Sequence, residues 1–415
     1  MSNPARRPGE PFAGNPVVHV LLPFAAAYSL SYLYRSVNAV IAPDLVRDFL
    51  LSPAQLGLLT SAYFLAFAAF QLPLGLLLDR FGPRRTDAAL LLVAASGAAL
   101  FAFAPGLPLL ILGRALIGLG VSGCLMSGIK ANVVWFPLSR LAAMNGWMFF
   151  AGGLGLIAAT VPVEAALKLA DWRALFAIFA LVTVAAAALI YFAVPEREGT
   201  VVREPLRAQI GGLRRVFSER RFWHIALAAT AVQSTSMALQ GLWAGPWLRD
   251  VAGLTRDAVA FHLLMMAGAT TAGFLFWGGI AARWTRHGVS AWTLYVAGMG
   301  IFLVIQIFIT LGLGRAAMIL WMGYGFFGTA GSLSYALLPQ RFPSALAGRV
   351  NTALNSMVFA WAFLVQWGVG AVINLWPATG TGYDPDAYRA GFGLFLAAEI
   401  AAWVWMVSET RRVTA

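Results

Sequence analysis

The sequence is poor in charge and in cysteine. Asp, Glu, Lys and Arg make up 11% of its 415 residues, whereas they make up about a quarter of an average soluble domain. The hydrophobic content of 60% and the mean hydropathy of +0.76 exceed what a soluble core can bury. Cys124 is the single cysteine, which excludes a framework of intrachain disulfides. These absences indicate an integral membrane protein.

Long apolar runs recur along the whole chain. A membrane-spanning helix needs roughly 20 apolar residues, and strands would leave open sheet edges in lipid. We therefore predict an all-α integral membrane fold with 12 transmembrane helices. The predicted spans 1 to 12 are 18–42, 55–78, 87–104, 109–134, 142–166, 174–194, 222–245, 258–280, 291–312, 316–338, 350–375 and 389–408. Residues 1–16 are polar, so we expect no cleavable signal peptide.

The net charge of +12 is distributed unevenly among the predicted loops. With the N-terminus inside, most Lys and Arg lie on the cytoplasmic side, and such an excess is typical of cytoplasmic loops. This predicts a multi-pass protein of a bacterial-type inner membrane with both termini cytoplasmic. Orientation and contact with lipid headgroups then account for the basic charge, and nucleic-acid binding is not expected.

A long basic connection divides the chain into two halves that resemble each other. The dipeptide FP ending at Pro137 is followed eight residues later by Asn145, and the FP ending at Pro343 is followed at the same distance by Asn351. The predicted domains are a six-helix half at 1–194, a cytoplasmic linker at 195–221 and a second six-helix half at 222–415. Two pseudo-symmetric helical halves favour alternating access at their interface.

Two motifs resemble signatures of the major facilitator superfamily. "GLLLDRFGPRR" begins at Gly75 between spans 2 and 3, and "RALIGLG" covers 114–120 in span 4. The resemblance implies a secondary transporter with a central cavity lined mainly by spans 1, 4, 7 and 10, and a charge latch between the halves. The latch residues implied are Gly75, Asp79, Arg80, Arg84, Arg85 and Arg114. The alternative is that the basic loop serves only to orient the chain in the membrane.

Span 5 carries a glycine cluster, Gly152, Gly153 and Gly155, without a proline. Antiporters of the superfamily tend to carry a Gly-Pro motif here, so the resemblance favours import or uniport over drug export. Small residues let helices approach closely in lipid, and we expect this cluster to bring spans 5 and 8 together.

Polar residues inside the predicted spans suggest a solute site. Charges in lipid are costly and usually functional, and Arg35 and Arg114 could bridge an anion between spans 1 and 4. They could instead pair with Glu164 or Asp44 and hold the half together. The predicted substrate-binding residues are Arg35, Tyr32, Asn38, Gln233, Gln240 and Asn355. A polar and aromatic cavity suits a small organic solute, and hydrogen bonding between helices is the alternative.

Glu399 is an acidic residue near the middle of span 12. It is a candidate proton site in a proton-coupled transporter. The alternative is a structural role as the partner of another polar group, which the peripheral position of span 12 in this fold favours.

Sulfur and imidazole groups in spans 7 and 8 suggest a metal-ion substrate. Thioether and imidazole ligands suit Cu(I), and we predict Met237, His262 and Met266 as ligands. The pattern resembles the CcoA-like copper importers of the superfamily, which carry Met-x-x-x-Met in span 7 and His-x-x-x-Met in span 8. Position 233 is Gln, so the first motif is broken. Flexible packing by Met is the alternative, and related importers take riboflavin or other organic solutes.

These observations predict a monomeric secondary transporter that imports a small solute and holds no cofactor. Copper is the leading substrate, and a small organic solute or anion such as riboflavin is the alternative. A membrane receptor or enzyme has little support, because no catalytic cluster, nucleotide loop or sizeable soluble domain is evident.

Overall fold

A computed structural model describes residues 15–195, 206–285, 287–343, 346–377 and 382–414. Ten helices within them are long and apolar enough to cross a membrane. One of these, Pro53–Phe103, contains two spans that meet at Gly82, where φ is 75° and ψ is 169°. The less apolar Arg220–Ala238 continues through Leu239–Trp243 to Asp250 and crosses as well. The all-helical fold with 12 spans is therefore confirmed for the described residues.

The first half contains spans 1 to 6. Their bounds are Val17–Leu21, Leu22–Ser36 and Asn38–Phe49 for span 1, Pro53–Phe103 for spans 2 and 3, Leu107–Val121 and Cys124–Trp135 for span 4, Leu138–Ala158 and Val161–Leu167 for span 5, and Trp172–Ala193 for span 6.

The second half contains spans 7 to 12, and a linker helix, Leu206–Ser218, precedes it. The bounds are Arg220–Ala238, Leu239–Trp243 and Ala244–Asp250 for span 7, Arg256–Thr285 for span 8, Ala291–Thr310 for span 9, Gly314–Ala316, Ala317–Gly328, Thr329–Leu333, Ser334–Leu337 and Pro339–Arg341 for span 10, Ala347–Ile373 for span 11, and Pro385–Thr414 for span 12.

Local sequence explains where several spans begin. Ser52 and Gln55 form a capping box: the Gln55 backbone N–H donates to Ser52 Oγ at 3.2 Å, and the Ser52 N–H donates to Gln55 Oε1 at 2.9 Å. This satisfies backbone donors at the start of span 2 that the helix itself leaves unpaired. Asp171 caps span 6 by accepting a hydrogen bond from the Ala174 N–H at 2.8 Å.

Each of the four spans expected to line the cavity is interrupted near its middle. The regular helical hydrogen bonding is perturbed at Val37 in span 1 and between Val121 and Cys124 in span 4, where the backbone dihedrals stay helical. Span 7 contains the π-helical turn Leu239–Trp243, and span 10 contains the 3₁₀ segment Thr329–Leu333. Such irregular turns are common at functional sites and hinges.

Two of the differences between predicted and observed boundaries have a clear physical cause. The predicted end of span 1 is 42, but the span continues to Phe49, because its last turns are amphipathic and have buried residues such as Leu45. The predicted linker extends to 221 as a connection, but Leu206–Ser218 is helical and span 7 begins at Arg220. Leu213 and Val216 are buried, so packing of an apolar face stabilises the linker helix.

Candidate transport pathway

The bundle has two ends with different contacts between its halves. We call the end that carries the linker helix the linker side, and the opposite end the far side. On the far side, Arg256 of span 8 contacts two carboxylates of the first half. Its Nη1 and Nη2 donate to Asp44 Oδ1 and Oδ2 at 3.0 and 2.7 Å, and its Nε donates to Glu164 at 2.9 Å. We call these three residues the far-side ion cluster.

The far-side ion cluster corrects an alternative raised by the sequence. Asp44 and Glu164 are sequence-based candidates for partners of Arg35 or Arg114, but the structure pairs them with Arg256. Both carboxylate side chains are at least nine-tenths buried. A buried carboxylate needs a positive partner, so Arg256 holds the two halves together at this end. Sequence analysis missed Arg256, although it is an arginine at the sparsely charged end of a span.

Glycines also bring the two halves into close contact on the far side. The backbone at Gly245 of span 7 lies against the Ala39 carbonyl of span 1, and Gly370 of span 11 lies against the Pro53 carbonyl. A Cβ at Gly57 would lie 2.9 Å from the backbone carbonyl oxygen of residue 366. Small residues permit such contact between helices, so backbone and ion pairs together close the far side.

The linker side shows a different arrangement. Cys124–Trp135 and Ser334–Leu337 form the linker-side parts of spans 4 and 10, and each packs chiefly against helices of its own half. The structure is thus closed between its halves on the far side, without equivalent packing of these two segments on the linker side. The contacts between the halves therefore differ between the two ends of the bundle.

Arg35 lies where the two halves meet, near the middle of span 1. Its guanidinium carbon is 4.5 Å from the centroid of the Tyr32 ring and 5.9 Å from that of Phe67, both in the first half. It is 5.1 Å from the centroid of Phe359 on span 11. Phe67 and Phe359 stack at 3.7 Å. Sequence analysis did not single out this phenylalanine pair, because its role arises only from contact between the halves.

Arg35 has no carboxylate partner among the residues that the structure describes, and its Nε atom is buried without a hydrogen-bond partner. Cation–π contacts stabilise such a group only in part. A charge in a low-dielectric interior requires a counter-charge, and Arg35 is partly exposed rather than sealed off. The arrangement can therefore receive an anion.

Four of the other predicted substrate residues lie at contacts between spans. Tyr32 meets Phe274 of span 8 edge to face, with ring centroids 6.4 Å apart. Asn355 accepts a hydrogen bond from the Tyr335 hydroxyl and donates to Gln71 Oε1, each at 3.0 Å. The Asn355–Gln71 bond joins the two halves, so these amides can respond to their relative movement.

The two glutamines of span 7 bond to neighbouring spans of their own half. The Gln240 side-chain N–H donates to Thr270 Oγ1 at 2.8 Å, and that of Gln233 donates to Ser334 Oγ at 3.2 Å. Asn38 lies apart from these partners, on the far-side part of span 1. It is 1% exposed, and neither of its side-chain polar atoms has a partner within the described part of the chain.

Arg114 is buried inside the first half. It is 1% exposed, its Nη1 donates to the Tyr34 carbonyl at 2.9 Å, and its guanidinium carbon lies 5.4 Å from the centroid of the Tyr63 ring. These contacts join span 4 to spans 1 and 2. Arg114 faces the interior of its own half. This geometry therefore does not support the prediction that Arg35 and Arg114 bind one anion together.

The implied charge latch lies on the linker side, and the described contacts of its central residues stay within the first half. Asp79 forms an ion pair of 2.6 Å with Lys130 of span 4, whose Nζ also donates to the Leu78 carbonyl. Arg84 Nε donates to the Tyr191 carbonyl of span 6 at 2.7 Å. Lys130 was not identified from the sequence. The remaining latch residues on this loop are Gly75, which is partly buried on span 2, and the arginines Arg80 and Arg85.

The predicted copper ligands are not brought together. His262 Nδ1–H donates to the Ala258 carbonyl at 2.8 Å, and Met266 is 2% exposed and packs against Gly325 of span 10. The Gln240–Thr270 hydrogen bond shows that these two residues lie at the same depth in spans 7 and 8. His262 lies about 12 Å from Thr270 along span 8 towards the far side, whereas Met237 lies on the linker side of Gln240.

The expected contact of the span 5 glycines with span 8 is confirmed for one of the three glycines. Gly153 lies against the Thr271 side chain of span 8. Gly152 instead faces the rings of Tyr28 and Tyr32, and Gly155 lies against the Ser29 backbone of span 1. The cluster therefore packs span 5 against both halves, because Gly153 lies on a different face of the helix from Gly152 and Gly155.

Comparison with known proteins gives partial matches to bacterial transporters. The chain is 27% identical to the uncharacterized transporter YybO of Bacillus subtilis, over 48% of this chain and 50% of that one. It is 25% identical to the hexuronate transporter of Escherichia coli over the same shares. It is 27% identical to the galacturonate transporter of Dickeya chrysanthemi, over 48% of this chain and 62% of that one. The matches span about half the length of these relatives.

Solved structures match over nearly the whole chain. A bacterial homolog of the human lysosomal transporter Spinster, in an inward-facing and unoccupied conformation, superposes with a TM-score of 0.69 and 18% identity. It covers 95% of this chain and 96% of that one. A point mutant of the nucleoside transporter NupG gives a TM-score of 0.71 with 12% identity, covering 94% of this chain and 99% of that one. At such identities these likenesses establish the fold alone.

The sequence model of the Major Facilitator Superfamily matches residues 24–366. This range covers most of both helical halves and includes the two motifs that suggested the family. The chain is a multi-pass membrane protein, and it belongs to the major facilitator superfamily.

Proposed function

We propose that this protein imports a small organic carboxylate of the hexuronate class across a bacterial inner membrane by alternating access. The observation that carries the proposal is Arg35, a cation between the two halves that is enclosed by aromatic rings and has no carboxylate partner among the described residues.

The chemistry of Arg35 favours a carboxylate over other solutes. A guanidinium binds carboxylates through two parallel hydrogen bonds, and it is less strongly hydrated than an ammonium group. Tyr32 and Phe359 restrict access of water to Arg35 from both halves. A bare copper cation would be repelled at this position. Since the predicted sulfur and imidazole ligands also lie apart, copper is not part of the proposal.

Neutral polar groups near the pathway suit the hydroxyl groups of a sugar acid. Gln240 with Thr270, and Asn355 with Tyr335, present amides and hydroxyls that both donate and accept hydrogen bonds. Sites of this kind combine a few polar groups with an aromatic lining. The names of two relatives, the galacturonate and hexuronate transporters, agree with this class.

The different contacts at the two ends of the bundle support alternating access. With the linker side and both termini in the cytoplasm, the closed far side faces outward and the structure is inward-facing. A carboxylate that enters from outside must first separate Arg256 from Asp44 and Glu164. Arg35 then binds it between the halves, and rocking of the halves closes the far side behind it. The protein is proposed to work as a monomer, since each chain contains both halves.

The test is uptake of radiolabelled D-galacturonate into proteoliposomes that contain the purified full chain. Arg35→Gln should abolish uptake, and Arg35→Lys should retain little, because an ammonium lacks the paired donors of a guanidinium. Arg315→Gln is the matched control, since it removes an arginine at the far-side end of span 10, away from Arg35. It should transport like the unaltered protein.

Three results decide among the substrates. Uptake that Arg35→Gln removes and Arg315→Gln preserves supports the proposal. Equal uptake by the Arg35→Gln variant and the unaltered protein would contradict the role of Arg35. Absence of galacturonate uptake in every version, with uptake of copper or riboflavin instead, would refute the hexuronate class.

A further inference from the structure

Another buried acidic residue, Glu399, lies in the interior of the second half. Its residue exposure is 0%, although it lies on span 12 at the edge of the fold. The Gln306 side-chain N–H of span 9 donates to Glu399 Oε1 at 2.9 Å. Glu399 Oε2 has no hydrogen-bond partner within the described residues. A carboxylate enclosed in this way is a costly feature that packing alone does not require.

The surroundings of Glu399 contain further unpaired polar atoms but no cation within the described ranges. Thr235 of span 7 lies beside the carboxyl group, and Tyr324 of span 10 faces it. Gln306 Oε1, Thr235 Oγ1 and the Tyr324 hydroxyl all lack hydrogen-bond partners in the described chain. Span 12 packs against spans 7, 9 and 11. From these and span 10, Tyr324 is the titratable group that faces Glu399 in the part of the chain described.

These neighbours suit two protonation states of the same carboxyl group. When Glu399 is neutral, it can still accept the bond from Gln306, whose own Oε1 is an unpaired acceptor in the described chain. When Glu399 is ionised, the Thr235 hydroxyl beside it can turn to donate to it, since hydroxyl hydrogens rotate. A fixed ion pair would favour only the charged state. A group with adaptable neutral partners can bind and release a proton.

The position of Thr235 connects this site with the moving part of span 7. Thr235 is buried towards Glu399, whereas the next two residues, Ser236 and Met237, are partly exposed on another face of the helix. The α-helix ends at Ala238 and the π-helical turn Leu239–Trp243 follows. Thr235 thus lies one helical turn before this irregular segment, which contains Gln240, the glutamine that bonds to span 8. A change in hydrogen bonding at Thr235 therefore acts next to that segment.

We propose that Glu399 binds the proton that drives solute import, which makes the protein a proton symporter. This inference rests on the proposed import of a carboxylate. One proton enters with one carboxylate anion, so the step is electroneutral and no other ion is needed. The proton binds Glu399 while the pathway is open to the outside and leaves when it is open to the cytoplasm. Na⁺ is the alternative coupling ion, and a gradient of Na⁺ in place of the pH gradient tests it.

The first experiment compares Glu399→Gln with the unaltered protein in proteoliposomes loaded with buffer and supplied with radiolabelled D-galacturonate. With one proton per anion, an inward gradient of about one pH unit concentrates the solute up to about tenfold. Glu399→Gln, which keeps the shape and the bond to Gln306, should lose this accumulation. It should keep exchange of external for internal galacturonate, which needs no net proton movement. Asp386→Asn is the control, because it neutralises an exposed carboxylate on the same span.

A second measurement does not depend on the solute. Infrared difference spectra of the reconstituted protein between acid and alkaline pH should contain the carbonyl band of a protonated carboxyl group. Glu399→Gln should remove it, and Asp386→Asn should leave it unchanged.

The outcomes separate the two proposals. Loss of gradient-driven accumulation with retained exchange, together with loss of the infrared band, supports Glu399 as the proton site. Accumulation by Glu399→Gln equal to that of the unaltered protein would overturn it. If the unaltered protein transports no galacturonate, the proposed solute class fails. The infrared band then tests by itself whether Glu399 binds a proton. Identical infrared spectra of Glu399→Gln and the unaltered protein would overturn the inference. Accumulation driven by a Na⁺ gradient in place of the pH gradient would also overturn it.

Discussion

Arg256 and Asp44 are 212 residues apart in sequence, yet two parallel hydrogen bonds of 3.0 and 2.7 Å join them across the two halves of the bundle. Glu164 occupies the remaining donor of the same guanidinium, Nε, at 2.9 Å. Bidentate geometry of this kind is the strongest form of an arginine–carboxylate contact. One cation from the second half thus binds two acids from the first on the far side, beside the close glycine contacts.

Removal of that cation should open the far side. We predict that Arg256→Gln raises labelling at Ala39→Cys by a membrane-impermeant maleimide about fivefold, since the lost ion pairs stabilise closure by about 1 kcal/mol. Ala39 is 4% exposed in this structure, and the native Cys124 is fully buried. The measurement is the labelling rate in intact cells that express the protein.

Lys168→Gln provides the control for Arg256→Gln. Lys168 and Asp257 form a second ion pair across the far side, but their side chains are 57% and 71% exposed. Exposed pairs contribute little, so labelling should stay near that of the unaltered protein. Equal labelling in the Arg256→Gln and Lys168→Gln variants would show that the far-side ion cluster does not hold the halves together.

Close backbone contact at Gly245 should be as important as the ion cluster. A Cβ at this position would collide with the Ala39 carbonyl, so Gly245→Val should force spans 1 and 7 apart and favour the outward-open state. We expect faster maleimide labelling of the far side and slower galacturonate uptake. Gly268→Val on span 8 is matched, since a Cβ there meets no atom within 4 Å. Labelling that is equally fast in both valine variants would contradict the steric argument.

Asp79→Asn should slow transport without weakening solute binding. The substitution removes the 2.6 Å ion pair with Lys130 at the start of the span 2 to span 3 connection, far from Arg35. A coupling of about 1.4 kcal/mol between this pair and the movement of the halves corresponds to about tenfold slower uptake. Lys130→Gln should have the same effect. The check is galacturonate uptake beside equilibrium binding, and an altered affinity with an unchanged uptake rate would refute the prediction.

Met266 should prove to be a packing residue and His262 an expendable one. Met266→Ala should cost about 2 kcal/mol of stability, since the side chain is buried against span 10. His262→Ala should cost less, because that side chain is only partly buried and bonds to its own helix. Thermal unfolding in detergent, with and without Cu(I), measures both. Stabilisation by Cu(I) that either substitution abolishes would restore the predicted metal site.

Much of the fold could be predicted because its causes are local. Runs of apolar residues must become helices in lipid, whatever they pack against, and this located the spans to within a few residues. The boundary at Phe49 was missed because the last turns of span 1 are amphipathic, and their burial depends on neighbouring spans. The motif from Gly75 correctly indicated the superfamily.

The candidate site was only partly predictable. Arg35 could be found because an arginine within an apolar span is rare and costly. Phe359 and Arg256 could not be assigned, because a phenylalanine and a terminal arginine are ordinary residues in a membrane helix. Their roles arise from contacts with residues of the other half, and hydropathy contains no information about such contacts.

The amino-acid sequence by itself determined that the chain spans a membrane as a series of helices, since hydrophobicity acts along each segment separately. Tertiary structure alone decided which charges meet. It paired Asp44 and Glu164 with Arg256, left Arg35 without a carboxylate partner among the described residues, and enclosed Glu399 among neutral polar groups. The physical reason is that electrostatic and polar interactions in a low-dielectric interior depend on distances of a few ångströms between distant parts of the chain.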